Sequence, residues 1–115
     1  MHFKLIIAFV EDEKLKKVIH AAREAGATGS TVIKQTTGDG LQESKTFLGM
    51  KLEIQRDMLI FLVEEHLSRE ILEAIAAAGE FHKRQTGMAF QIDVEDVIGI
   101  NIQIDKLTPM IEDEI

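Results

Sequence analysis

The sequence predicts an α+β domain: a four-stranded antiparallel sheet with two helices on one of its faces. Two observations carry this expectation. Near-continuous apolar runs without helical period, at residues 4–10 and 58–63, read as buried strands. After each comes a stretch whose apolar residues recur at three- and four-residue spacing, as on a half-buried helix. A chain of 115 residues can build one core and is too short for two.

The elements follow in order. Residues 4–10 form the first strand. Glu11, Asp12 and Glu13 then suit the positive end of a helix dipole. Leu15, Val18, Ile19, Ala22 and Ala25 make one apolar stripe, and Gly26 ends that helix as a left-handed cap. Thr31, Val32 and Ile33 give a second strand. Pattern is then lost from Thr36 to Arg56, where Gly38 and Gly40 break the chain around a short apolar stretch at 47–52. Met58 to Val63 is the third strand. Ser68 is expected to cap the second helix, whose stripe is Ile71, Leu72, Ile75 and Ala78 and which Gly79 closes. Met88, Phe90, Ile92 and Val94 alternate with Ala89, Gln91 and Asp93 as a half-exposed fourth strand.

The order β-α-β-loop-β-α-β is the split βαβ, or ferredoxin-like, arrangement (βαββαβ). Beyond it, the alternation of Ile98, Ile100, Ile102 and Ile104 reads as an extra edge strand that a subunit partner covers. From Thr108 the chain carries its only proline and ends acidic, a loose tail. The organisation expected is one domain over residues 1–107, with a loop segment at 37–56, and an acidic tail at 108–115. Irregular loops of that length inside so small a domain are usually functional. The alternative is a strand extension packed on a neighbour.

Composition excludes several functions. There is no cysteine, hence no disulfide framework and no thiolate zinc site. Twenty acidic against 13 basic side chains give a net charge of −7, which opposes binding to nucleic acid and to anionic membrane surfaces. Trp and Tyr are absent, so platforms for stacking bases are scarce. The run at residues 4–10 is too short to span a bilayer or to serve as a signal-peptide core, so the expected location is the cytoplasm. No Gly-x-Ser-x-Gly elbow occurs and no base stands beside Ser30, Ser44 or Ser68, so no catalytic residues are assigned. His2, His20, His66 and His82 are scattered without i, i+4 ligand spacing. His66 beside Glu64 and Glu65 resembles a metal corner, but local hydrogen bonding is the simpler reading and no metal is assigned.

Residues 21–40, AAREAGATGSTVIKQTTGDG, resemble the end of the first helix, the second strand and the entry to the mobile T-loop of the PII signal-transduction (nitrogen regulatory) family. The likeness is strongest in the block AGATGSTV. Residues 58–65 and 87–97 are similar to that family's third strand and the strand after its B-loop. The resemblance implies a non-enzymatic homotrimer. It would sense a small molecule, an adenine nucleotide in much of the family, in clefts between subunits. It would act through the T-loop on a protein target, a membrane transporter among the candidates. Carried onto this chain, the ligand positions are Gly29, Thr31, Gly38, Gly40, Gln42, Gly87 and Met88. The partner-binding loop would present Ser44, Thr46, Phe47, Leu48 and Met50, of which Ser44 and Thr46 could accept phosphate.

The departures matter as much. Where the family has a B-loop lysine this chain has Met88, and where it has two arginines after the last strand this chain reads Val97-Ile98-Gly99-Ile100-Asn101. Leu41 replaces the basic residue after the loop glycines, leaving Lys83 and Arg84 as nearby charge. A triphosphate needs cations to offset it, so a ligand with fewer phosphates, or a non-nucleotide metabolite, is expected. Without Tyr, tyrosine-directed nucleotidylation of the loop is ruled out. Two rivals stand beside this reading: an adaptor trimer that has lost its ligand, and a metal-binding or metal-tolerance protein similar to the CutA family.

Overall fold

The computed structural model describes residues 1–34, 46–47, 50–51, 56–83 and 86–111. Strand β1 (Phe3–Glu11) leads through a 3-10 turn (Asp12–Lys14) into α1 (Leu15–Glu24), followed by β2 (Thr31–Ile33). A small hairpin, β3 (Thr46–Phe47) and β4 (Met50–Lys51), precedes β5 (Arg56–Glu64), α2 (Glu65–Ala78), β6 (Gly87–Val94) and α3 (Asn101–Ile111). The main sheet has the order β2-β5-β1-β6 and every pairing in it is antiparallel. This is the ferredoxin-like arrangement expected from the sequence.

Side chains alternate between the two faces of a strand, and register puts Ile6, Ala8 and Val10 of β1 on the same face as Leu59, Phe61 and Val63 of β5. All six are buried, packed with Leu15, Val18 and Ala22 of α1 and Ile71, Ile75 and Ala78 of α2. Burying a side chain such as Ile6 or Phe61 contributes about 1.5–3 kcal/mol each, so this layer dominates stability. The opposite face is also apolar. Phe3 and Phe9 are buried there, Leu5, Ile7, Met58, Ile60, Leu62, Met88 and Phe90 are half-buried, and Ile33 and Ile92 remain 44% and 48% exposed.

Several expectations need correction. Residues 101–111 form a helix, so the isoleucine alternation from Ile98 to Ile104 is not an edge strand. Ile100, Ile104 and Leu107 satisfy a helical stripe equally well, and the bond from Ile104 N to Ile100 O (3.0 Å) begins it. Leu107 is 1% exposed, while Ile98 and Ile102 face solvent. Thr108 to Ile111, read as loose tail, complete this helix and include Pro109. Ser68 is not a cap. Helix α2 starts earlier, with Glu64 as N-cap accepting from the His66 N–H at 2.7 Å, while buried Ser68 donates to the Glu65 carbonyl. Glu11 ends β1 and is at the same time the N-cap of the 3-10 turn, with Asp12 and Glu13 in its first turn as expected. The pairing of Thr46–Phe47 with Met50–Lys51 gives regular structure inside the stretch read as irregular.

Both helix ends carry glycine, differently. Gly26 has φ +121° and lies tight against Leu67, as a C-terminal cap requires. Gly79 caps α2 with ordinary φ, and the left-handed position falls instead to Glu80 at φ +56°. A non-glycine residue there is uncommon, and its side chain is held by ion pairs to Lys14 and Lys83, both at 2.9 Å.

Candidate ligand site

The link from α1 to β2 reads Ala27-Thr28-Gly29-Ser30, all of them small or hydroxylated, and it brings little apolar bulk to fill the edge of the sheet. A cavity of about 320 Å³ opens there. Thr28, Ser30 and Thr31 rim it with hydroxyls, and Gly29 has no described atom within 4 Å of where a Cβ would stand. Leu5, Ile60 and Leu62, on the sheet face away from α1 and α2, give it its apolar lining. Gln103 of α3 completes the described lining. Pockets with an apolar body and few polar groups are what small ligands use, and this one sits at the small end of the usual ~300–1,000 Å³.

Of the expected ligand positions, Gly29 and Thr31 both line this cavity. Thr28, Ser30 and Gln103 were not expected. The hydroxyls were legible in the AGATGSTV block, whereas Gln103 was hidden by reading residues 98–104 as a strand.

Gly87 and Met88 lie elsewhere. Thr31, Ile60, Ile7 and Phe90 form one row across the sheet, so Thr31 and β6 are three strand spacings, about 14 Å, apart. The β2 edge and the β6 edge of one protomer cannot grip the same small ligand. At its own edge Gly87 is fixed by packing: an added Cβ would stand 2.1 Å from the Phe9 carbonyl oxygen and 2.7 Å from the Phe81 ring. Met88 sits opposite Phe9 on the sheet face away from α1 and α2, an apolar neighbour in an apolar row. The stretch 97–101 follows the far end of β6, about 20 Å from Gly87 at ~3.3 Å per residue. Gly38, Gly40, Gln42, Ser44 and Leu48 lie outside the described residues, as do Leu41 and Arg84. Thr46, Phe47 and Met50 are on the hairpin, with Phe47 paired to Met50.

Charge near Gly87 is already committed. Lys83 and Lys14 converge on Glu80, and first Lys83, then Lys14, hold its carboxyl down at about 2. Glu11 adds a second acid 3.5 Å from Lys14. Arg56 enters β5 opposite Glu11 and is only 3% exposed; burial lowers its pKa and Glu11 opposes that. Thus the described cations at this end of the sheet meet acids of the same protomer before any phosphate.

The root of the long loop is pinned as well. Lys34, just after β2, reaches Asp12 at 2.7 Å and the fully buried Asp57 at 3.3 Å. Its hydrogen bonds to Asp12, then Asp57, raise the Lys34 pKa, and Lys34 lowers that of Asp12. Glu64, Glu65 and His66 bring ligand-type atoms within 4.8 Å of one another. Glu64, however, is spent as the cap of α2 and pairs with the His66 Nδ1. Among the described residues no helix is long and apolar enough to cross a membrane.

The described residues thus form an antiparallel ferredoxin-like sheet with a small cleft beside its β2 edge. The model of the nitrogen regulatory protein P-II family matches residues 3–103, and the chain belongs to that family of PII-like signalling proteins. Solved structures agree on the fold. The CPII protein of Thiomonas intermedia, bound to ADP, AMP and acetate, is 22% identical with a TM-score of 0.61, covering 89% of this chain and 93% of that one. The same protein bound to ADP, AMP and bicarbonate gives 20% and 0.60, covering 87% and 98%. A PII-like signalling protein of Thermus thermophilus gives 21% and 0.58, covering 82% and 87%.

Proposed function

We propose that this chain is a cytoplasmic, non-enzymatic sensor that binds an adenine nucleotide of few phosphates and regulates a protein partner, a membrane transporter among the candidates. Its working unit would be residues 1–107, with the loop segment 37–56 as the partner contact and Thr46, Phe47 and Met50 carried on a hairpin. The observation that carries this reading is the uncharged cavity at Thr28–Thr31 together with the self-neutralised charge near Gly87. The first suits a nucleoside; the second gives little to hold a triphosphate. AMP and ADP fit these demands better than ATP, and they are the nucleotides bound to the Thiomonas protein.

A homotrimer supplies what one protomer lacks. The sheet face away from α1 and α2 is apolar and, beyond the part that α3 borders, partly exposed, and such a face is normally covered. Assembly through it would set the β2 edge of one subunit beside the β6 edge of the next, joining Gly29 and Thr31 to Gly87 and Met88. A CutA-like metal role has less support, since the Glu64–His66 group already serves α2.

Thermal denaturation in the presence of AMP, ADP, ATP, bicarbonate, 2-oxoglutarate and divalent metals tests the proposal, because a ligand selective for the folded state raises its melting point. The expected order is AMP and ADP above ATP. A melting point that none of these moves would refute the sensor reading and leave a ligand-free adaptor.

A further inference from the structure

Resting on the adenine-nucleotide reading, we infer that α3 is a lid on the β2-edge cavity and that Gln103 is the residue selecting adenine there. Among the described residues no ionisable side chain lines this cavity. Whatever enters it is held by hydroxyls, backbone and one amide, so the cavity takes the uncharged part of a ligand. Leu5, Ile60 and Leu62 offer apolar surface against which a ring could pack. Gln103, the only side-chain amide of the described lining, shares the cavity with Thr28–Thr31. A primary amide presents a donor and an acceptor side by side, the complement of the amino group and ring nitrogen N7 of adenine. Guanine shows two acceptors on that edge, O6 and N7, and leaves the amide oxygen unpaired.

The helix is built to hold this residue while remaining movable. Leu107, one turn beyond Gln103, is buried and anchors α3 to the domain. The connector from β6 has no regular structure, and in it Gly99 adopts φ +93° with no described atom within 4 Å of where a Cβ would stand. Such a glycine can change conformation at little cost. The outward face of α3, with Ile102 and Met110 exposed, takes no part in the cavity.

The test is calorimetric titration of AMP and of GMP into the full-length protein and its Gln103→Leu and Gln103→Met variants, with Met110→Ala as a control. Wild type and Met110→Ala are expected to bind AMP about 10-fold or more tightly than GMP, the size of one good paired contact. Both Gln103 variants should lose about that factor for AMP while GMP binding changes little. Gln103→Met keeps the length of the side chain without its amide or any charge and so separates recognition from folding, which circular dichroism melts check for each variant. If the Gln103 variants keep the wild-type preference for AMP, the inference is overturned and the nucleotide reading survives. If wild type binds neither nucleotide, the nucleotide reading is lost and this inference with it.

Discussion

Gly87 and Gly29 were both expected to serve a ligand, and alanine at each should now behave in opposite ways. At Gly87 the added Cβ would stand 2.1 Å from a backbone oxygen of β1 and 2.7 Å from the Phe81 ring. Contacts under about 3 Å are not tolerated, so β6 would have to move about 1 Å away from Val10, its partner in the register. Overpacking typically costs about 1–3 kcal/mol, and a weakened pair of strand hydrogen bonds adds about 1 kcal/mol. The expected loss is about 2–4 kcal/mol, a fall in melting point of roughly 8–16 °C for a domain of this size. At Gly29 no described atom lies within 4 Å and φ is not in the left-handed region. Gly29→Ala should change stability by less than about 0.5 kcal/mol or raise it slightly by restricting the unfolded chain, while its methyl crowds the cavity and weakens nucleotide binding. Thermal and urea melts followed by circular dichroism, at one protein concentration, decide the matter. A Gly87→Ala protein melting within about 2 °C of wild type would refute the packing argument.

Acid should act through Glu80. Its carboxyl is lowered from the usual 4.5 to about 2 in the fold, so the unfolded chain takes up the proton first; the stabilisation is whole above pH 4.5 and is lost as pH falls towards 2. Melting points measured from pH 6 to pH 2 should show a shallower decline in Glu80→Gln than in wild type. Lys34→Met should destabilise the fold, because Asp57 is fully buried and would lose the ammonium at its Oδ2. Pairing it with Asp57→Asn should recover part of the loss in a double-mutant cycle. Glu64→Ala should cost about 1 kcal/mol or more as a lost cap, and zinc or cobalt added to wild type should leave the melting point unmoved.

The core of the fold was readable because burial is periodic. Leu15, Val18 and Ala22, then Ile71, Ile75 and Ala78, mark the buried stripes, and β6 falls where the Met88–Val94 alternation places it. Misreadings arose where one pattern serves two structures. Isoleucines at 98, 100, 102 and 104 alternate like a strand, yet Ile100, Ile104 and Leu107 also line one side of a helix. Ser68 has the chemistry of a cap, but the carboxylate of Glu64 reaches the free N–H first. Half of the candidate site was legible, since the hydroxyls and glycine around Gly29 and Thr31 sit together in sequence. The rest was not, because its relation to Gly87 and Met88 depends on strand order. The four-strand row that separates them cannot be read from residue types.

The central claim is that a nucleotide site is completed between copies of this chain. Titration of AMP or ADP into the wild-type protein, with its mass fixed by sedimentation equilibrium, tests it most directly. The account predicts a three-chain particle that binds one nucleotide per chain. A monomer that binds nucleotide with full affinity, or a trimer that binds none, would contradict it.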